Sequence, residues 1–211
     1  GGTGGGTGGG TGGGTGGGTG GGTAVNCGAT TLVDHLVISE VRVQPTPAEF
    51  VEIYNPTGGS IDLSDYRLYN STYAPTDGGA SCFYFAHDGG ACSTNNSDFD
   101  VQFPSGASIG SMQAKVIALT GTFNYCGDGG PCATSLPDFE IPPADGGGNA
   151  SVPDMRGVWE LDPAIAGQFG FLTATSEDVV LYKWNGLSTS APQDVDYFIW
   201  GTSLLVRTDK T

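Results

Sequence analysis

The stretch 36–70, LVISEVRVQPTPAEFVEIYNPTGGSIDLSDYRLYN, constrains the fold most, because its apolar residues recur at every second position between turns. In Phe50-Val-Glu-Ile-Tyr-Asn, Val51 and Ile53 alternate with Glu52 and Tyr54. A period of two puts one set of side chains on one face of a strand, and a helix of period 3.6 cannot do this. Asn55-Pro56-Thr57-Gly58-Gly59 supplies a turn: proline fixes φ, and glycine accepts positive φ. Ile61 and Leu63 resume the alternation, and Tyr66 and Leu68 continue it after an irregularity at Ser64-Asp65.

The runs I-S-E-V, F-V-E-I-Y-N-P and I-D-L-S-D-Y-R-L closely resemble the opening of a lamin tail domain. Later segments fit the same pattern. Phe103 to Ile109 and Val116 to Leu119 resemble the middle strand with its preceding turn, and 178–186 with 194–201 resemble the closing hairpin. The resemblance implies an all-β, immunoglobulin-like β-sandwich, of a family found in nuclear lamins and in secreted and surface proteins of bacteria. It specifies a fold and not an activity.

The expected organisation is a tract at 1–23, a connector at 24–35 and a sandwich domain at 36–211, with insertions at 71–100 and 121–170. Core strands are expected near 36–43, 50–55, 61–69, 115–119, 178–184 and 195–200. Val37 or Ile38, Val51, Ile53, Leu63, Ile117, Leu119, Val180 and Tyr197 should be mostly buried.

The tract is the second constraint. It is GGT followed by five copies of GGGT, so that Thr3, Thr7, Thr11, Thr15, Thr19 and Thr23 fall at a strict period of four. A flexible linker needs only composition and not a period. Glycine costs a helix about 1 kcal/mol per residue, and collagen needs glycine at every third position. Two extended forms stay open. A β-strand would put every threonine on one face, about 13 Å apart, and a polyproline-II-type helix would turn successive threonines by roughly 120°. Either leaves backbone groups to be paired by neighbouring chains. The threonines are therefore candidates both for fixing register in an assembly and for carrying sugars.

Beyond the tract about 188 residues remain, enough for one domain with a core. The net charge is −15, with seven Lys plus Arg against 22 Asp plus Glu. Such a surface repels phosphate backbones and anionic lipid, which argues against nucleic acid as a partner. No apolar run is long enough for a membrane-spanning helix, so no membrane insertion is expected. The chain opens without Met or a charged-then-apolar leader, and the expectation is a processed or truncated chain.

Of the five cysteines, Cys82 lies close to Cys92 and Cys126 to Cys132, each pair within a glycine-rich loop. None forms a C-x-x-C pair, which argues against zinc. Two loop-closing disulfides are expected, the usage of a secreted protein, worth roughly 2–3 kcal/mol each on the chain-entropy model. Cys27 is then unpaired within the chain, either free, separated from its partner by truncation, or bonded to another chain.

Asp-Gly-Gly recurs at 77–79, 88–90, 128–130 and 145–147. Asp128 and Asp145 are weak calcium candidates, because none of these repeats has the spacing of a known calcium loop. Asp-Gly is also ordinary turn chemistry. Otherwise no metal or cofactor is expected. Asn70-Ser-Thr, Asn95-Asn-Ser and Asn149-Ala-Ser match the N-glycosylation pattern. His35 reads as a surface or capping residue, and His87-Asp88 as part of a loop.

No phosphate loop or His-Glu-x-x-His is present. The carboxylate inventory leaves a glycosidase-like pair as a formal alternative, and the lamin-tail resemblance implies a sandwich that is not catalytic. The chain is expected not to be an enzyme. The expected function is a structural subunit of an extracellular filament or surface fibre, with copies of itself as partners. The alternative is an interaction module tethered to a larger secreted or surface protein.

Overall fold

A computed structural model of the protein describes residues 33–44, 48–70, 99–119, 136–142, 148–157, 172–187 and 189–201. The chain divides into two units, Gly1–Thr31 and Leu32–Thr211, and every described residue belongs to the second. Cys27, Cys82, Cys92, Cys126, Cys132, the six tract threonines, His87, Asn95, Asp128 and Asp145 lie outside the described residues.

The described residues form strands and no helix. In chain order the strands are β1 (Val37–Arg42), β2 (Phe50–Tyr54), β3 (Ile61–Asp62), β4 (Tyr66–Asn70), β5 (Phe99–Gln102), β6 (Ser108–Ile109), β7 (Ala114–Ala118), β8 (Phe139–Glu140), β9 (Arg156–Gly157), β10 (Glu177–Lys183) and β11 (Gln193–Trp200). One sheet has the order β1-β2-β7-β8, antiparallel except for the parallel β7–β8 pair. The other has the order β11-β10-β4-β5-β9 and is antiparallel throughout. β3 and β6 form a separate two-stranded ribbon.

The alternation in the sequence explains how the sheets face each other. Val51 and Ile53 of β2 and Ile117 of β7 join one buried cluster with Leu68 of β4, Val101 of β5 and Val179 and Leu181 of β10. These are the inner faces of the two sheets, so the arrangement is sandwich-like. Phe103 and Phe139 meet edge-on in this cluster, with ring centroids 5.2 Å apart. Each fully buried aliphatic side chain there contributes about 1.5–3 kcal/mol of transfer free energy.

The segment expected as one strand at 61–69 is two. Asp62 Oδ1 accepts the Ser64 N–H at 2.8 Å, and the Tyr66 N–H bonds to the Leu63 carbonyl at 2.8 Å. This turn sends Ile61 to the small ribbon and Leu68 to the five-stranded sheet. Leu63 and Leu119 are buried as expected. Val37, Ile38 and Tyr197 are only half-buried, because β1 and β11 lie at the edges of their sheets. Phe99 and Asp100, expected in the first insertion, begin β5. The second insertion segment supplies β8 and β9 to the edges of the two sheets.

Asn55 shows why the turn after β2 carries that residue. It is fully buried. Its Nδ2 donates to the carbonyls of Gly59, Ile109 and Gly110 at 2.8, 3.2 and 3.1 Å. Its Oδ1 accepts the Thr57 N–H at 3.0 Å and the Thr57 hydroxyl at 2.7 Å. Its backbone N–H bonds to the Gln113 carbonyl, and its carbonyl accepts the Met112 N–H. One side chain thus ties the β2–β3 turn to the β6–β7 turn. Met112, exposed at the tip of the latter, adopts a positive φ of 56°, an unfavourable conformation for a residue with a Cβ.

Candidate functional site

Two groups of side chains stand out, and both depend on strand pairing across long sequence separations.

The first lies on the outer face of the five-stranded sheet. In β10, Val179 and Leu181 point into the sandwich, so Val180 and Tyr182 point away from it. They form a second buried cluster with Tyr69 and Trp184, against which Tyr197 packs. Register places Tyr182 beside Arg67 and Tyr69 beside both Val180 and Asp100. The Tyr182 hydroxyl lies 2.7 and 2.9 Å from the two Asp100 oxygens and donates its hydrogen to that carboxyl. The Arg67 guanidinium stacks on the Trp184 ring, 4.5 Å from its centroid. Trp184 is fixed in turn by its Nε1, which donates to the carbonyls of Leu187 and Ser190. A cation over an indole at a desolvated position contributes roughly 2 kcal/mol.

Burial raises the Asp100 carboxyl to about 7, against the lowering effects of the Tyr182 hydrogen bond and the Arg67 charge. Tyr182 is also raised, first by burial and then by the Asp100 charge, so it stays a neutral donor. Arg67 is 4% exposed, and its Nε and Nη1 make no hydrogen bond. Chemically this is a packed aromatic and charged layer, with a proton that Asp100 exchanges near neutral pH.

The second group sits where the four-stranded sheet ends. Glu140 of β8 pairs with Asp154 in a parallel bridge. The Glu140 N–H bonds to the Pro153 carbonyl, and the Glu140 carbonyl accepts the Met155 N–H. Glu140 is 1% exposed. Its Oε1 accepts the Asn149 N–H, and its Oε2 has no hydrogen-bond donor. Burial raises its pKa, the Asn149 N–H opposes this, and the charge of and hydrogen bond with Asp154 raise it further. Among the described residues, no three His, Cys, Asp or Glu side chains converge as metal ligands do.

His35 lies in an exposed pair with Asp34, at 3.1 Å, where the hydrogen bond from His35 lowers the Asp34 pKa. Its placement matches a surface residue. Glu40 and Glu52 face each other across β1 and β2, and Glu52 accepts the Ser39 hydroxyl at 2.7 Å.

Asn70 is corrected as a glycosylation candidate. It is fully buried, its Nδ2 donates to Glu177 Oε1 at 2.6 Å, and its Oδ1 accepts the Phe99 N–H at 2.7 Å. A glycan cannot be attached to that nitrogen in the folded domain. In Asn149-Ala-Ser the asparagine is half-buried, and its Oδ1 accepts the Ser151 N–H at 3.0 Å.

The sequence reading passed over Arg67, Asp100, Tyr182 and Trp184, and also Glu140 and Asp154. In a two-residue alternation an Arg or Asp on the outer face reads as a solvated residue. The one available signal was the density of large aromatics, Tyr69, Tyr182, Trp184 and Tyr197, in segments where every second position already supplies the core.

Among the described residues, no helix is long and apolar enough to cross a membrane. No protein-family model matches the chain, and no curated protein does. Among solved structures, the chain is similar to a DUF4876 family protein from Bacteroides thetaiotaomicron, with 16% identity over 72% of this chain and a TM-score of 0.49. The matched region spans 43% of the length of that protein.

Proposed function

We propose that the chain is a structural subunit of an extracellular filament or surface fibre, non-enzymatic and assembled with copies of itself through the tract at 1–23. In this reading the sandwich has the immunoglobulin-like topology of lamin tail domains and carries two disulfide-closed loops. The observation that carries the reading is the strict four-residue period of the tract. Glycine lets backbones approach to hydrogen-bonding distance on all sides. A threonine at a fixed interval sets register or carries sugar. Twenty-three extended residues reach roughly 70–75 Å, enough to extend past one sandwich to its neighbours.

The sandwich is suited to serve as a decorating or contact module. Its β1 edge is interrupted by a register shift between Ile38 and Glu40, and the Ile38 N–H is taken by Asp196. Such an edge resists edge-to-edge pairing. The net charge of −15 keeps assembled fibres apart.

Removal of residues 1–23 tests the proposal. Negative-stain microscopy should show fibres for the full chain and none for the shortened one. Fibres that persist unchanged would place assembly in the sandwich and end this reading. The alternative is a tethered interaction module of a larger secreted or surface protein. It predicts a monomeric full chain, with a tract whose period can be scrambled without effect.

A further inference from the structure

We propose that Glu140 and Asp154 bind a hard divalent cation, Ca2+, at the β8 end of the four-stranded sheet. This site is independent of whether the tract assembles.

The two carboxylates come from segments fourteen residues apart and are held together by backbone. The Glu140–Asp154 bridge, the Pro153 carbonyl on the Glu140 N–H and the Met155 N–H on the Glu140 carbonyl fix both residues before their side chains are considered. Glu140 is buried with Oε2 lacking any donor. A buried carboxylate oxygen left without a hydrogen bond carries a desolvation cost, and such groups in proteins are paired or bound to metal. Lys115, on the neighbouring strand β7, pairs with Asp138 at 2.7 Å.

Gly148 completes the pocket by what it lacks. A Cβ there would lie 2.5 Å from Glu140 Oε1 and 3.4 Å from Asp154 Oδ1. A side chain at 148 would clash with the Glu140 carboxylate and reach ordinary contact with Asp154, so glycine leaves the Glu140 carboxylate unobstructed. Asp154 is exposed, so one of the two carboxylates stands open to a cation and its waters.

The donor set selects the ion. Only oxygen is offered, which disfavours zinc, a metal of nitrogen and sulfur ligands. Two carboxylates supply at most four oxygens, and water completes the six to eight that calcium takes in flexible geometry. Magnesium, which demands a rigid octahedron, is a poorer match. With only two charged ligands the affinity belongs with extracellular modules, at about 10⁻⁴–10⁻³ M.

The test uses the full chain, freed of metal with a chelator and then melted at constant ionic strength and neutral pH with CaCl2 up to about 10 mM. Calcium should raise Tm by about 3 °C or more, and an equal concentration of MgCl2 should raise it less. Asp154→Asn, at an exposed position, should remove the calcium response while the protein stays folded. Glu140→Gln should do the same, and if that variant does not fold, Asp154→Asn decides the matter alone. The proposal is overturned if calcium does nothing beyond magnesium, or if Asp154→Asn keeps the full response. It is also overturned if Tm responds to acidification but not to calcium, which would mean that the pair shares only a proton.

Discussion

The Asp196 carboxylate accepts the backbone N–H of Ile38 at 2.9 Å, joining residues 158 positions apart. Asp196 lies in register with Leu181, Leu68 and Val101 on the inner face of the five-stranded sheet. At the edge strand this row ends in a carboxylate, and the carboxylate reaches the edge of the opposite sheet. It closes one corner of the sandwich and occupies a β1 donor that a foreign strand would otherwise use.

Asp196→Ala is therefore expected to cost about 1–2 kcal/mol in urea unfolding, because the Ile38 N–H loses its partner. The same variant should self-associate more with concentration, as read by light scattering. Asp196→Asn keeps an acceptor oxygen and should retain most of the stability. Equal behaviour of the two variants would show that charge, not the hydrogen bond, closes the corner.

Asn55→Ala should be among the costliest single substitutions, at about 2–4 kcal/mol in denaturant unfolding. It removes one donor from each of three carbonyls, and the acceptor of the Thr57 N–H, at a buried site. Asn55→Asp keeps the acceptor for Thr57 but turns an anionic oxygen toward the three carbonyls. It should be at least as damaging. A mild Asp variant would mean that the turn depends on Oδ1 alone.

Asp100 predicts a pH dependence. Its folded pKa of about 7 lies above the ordinary carboxyl value of 3.8, so the folded chain holds this proton more tightly than the unfolded chain. The stability this proton contributes is fully present below about pH 4 and is lost as pH rises to about 7. Asp100→Asn still accepts the Tyr182 hydroxyl but cannot ionise. Its stability relative to the native chain should therefore rise between pH 4 and 8 by roughly 1–3 kcal/mol. Parallel pH profiles of the two proteins would place the Asp100 pKa elsewhere.

The sequence by itself determined the strand class and the inner faces of β2, β4 and β7. Val51, Ile53, Leu68 and Ile117 announce themselves because a two-residue period fixes which side of a strand each occupies, whatever its partner. In β10 the run Val179 to Tyr182 has no alternation, and the expected core residues Val180 and Tyr197 belong to the outer cluster while Leu181 faces inward. Asn55 could be read as turn chemistry, although not as the clamp between two turns. Tertiary structure decided everything that depends on pairing. The two-residue strands β6, β8 and β9 have too few residues to show a period, and they exist because a neighbouring strand offers its hydrogen bonds. Arg67 over Trp184, Tyr182 on Asp100, and Glu140 beside Asp154 bring together residues far apart in the chain. An isolated Asp or Glu reads as solvated, and its burial, pKa and ligand chemistry are set by which strand lies next to it. Asn70 makes the same point in reverse: three letters suggested a sugar site, and burial against Glu177 and Phe99 turned the residue inward.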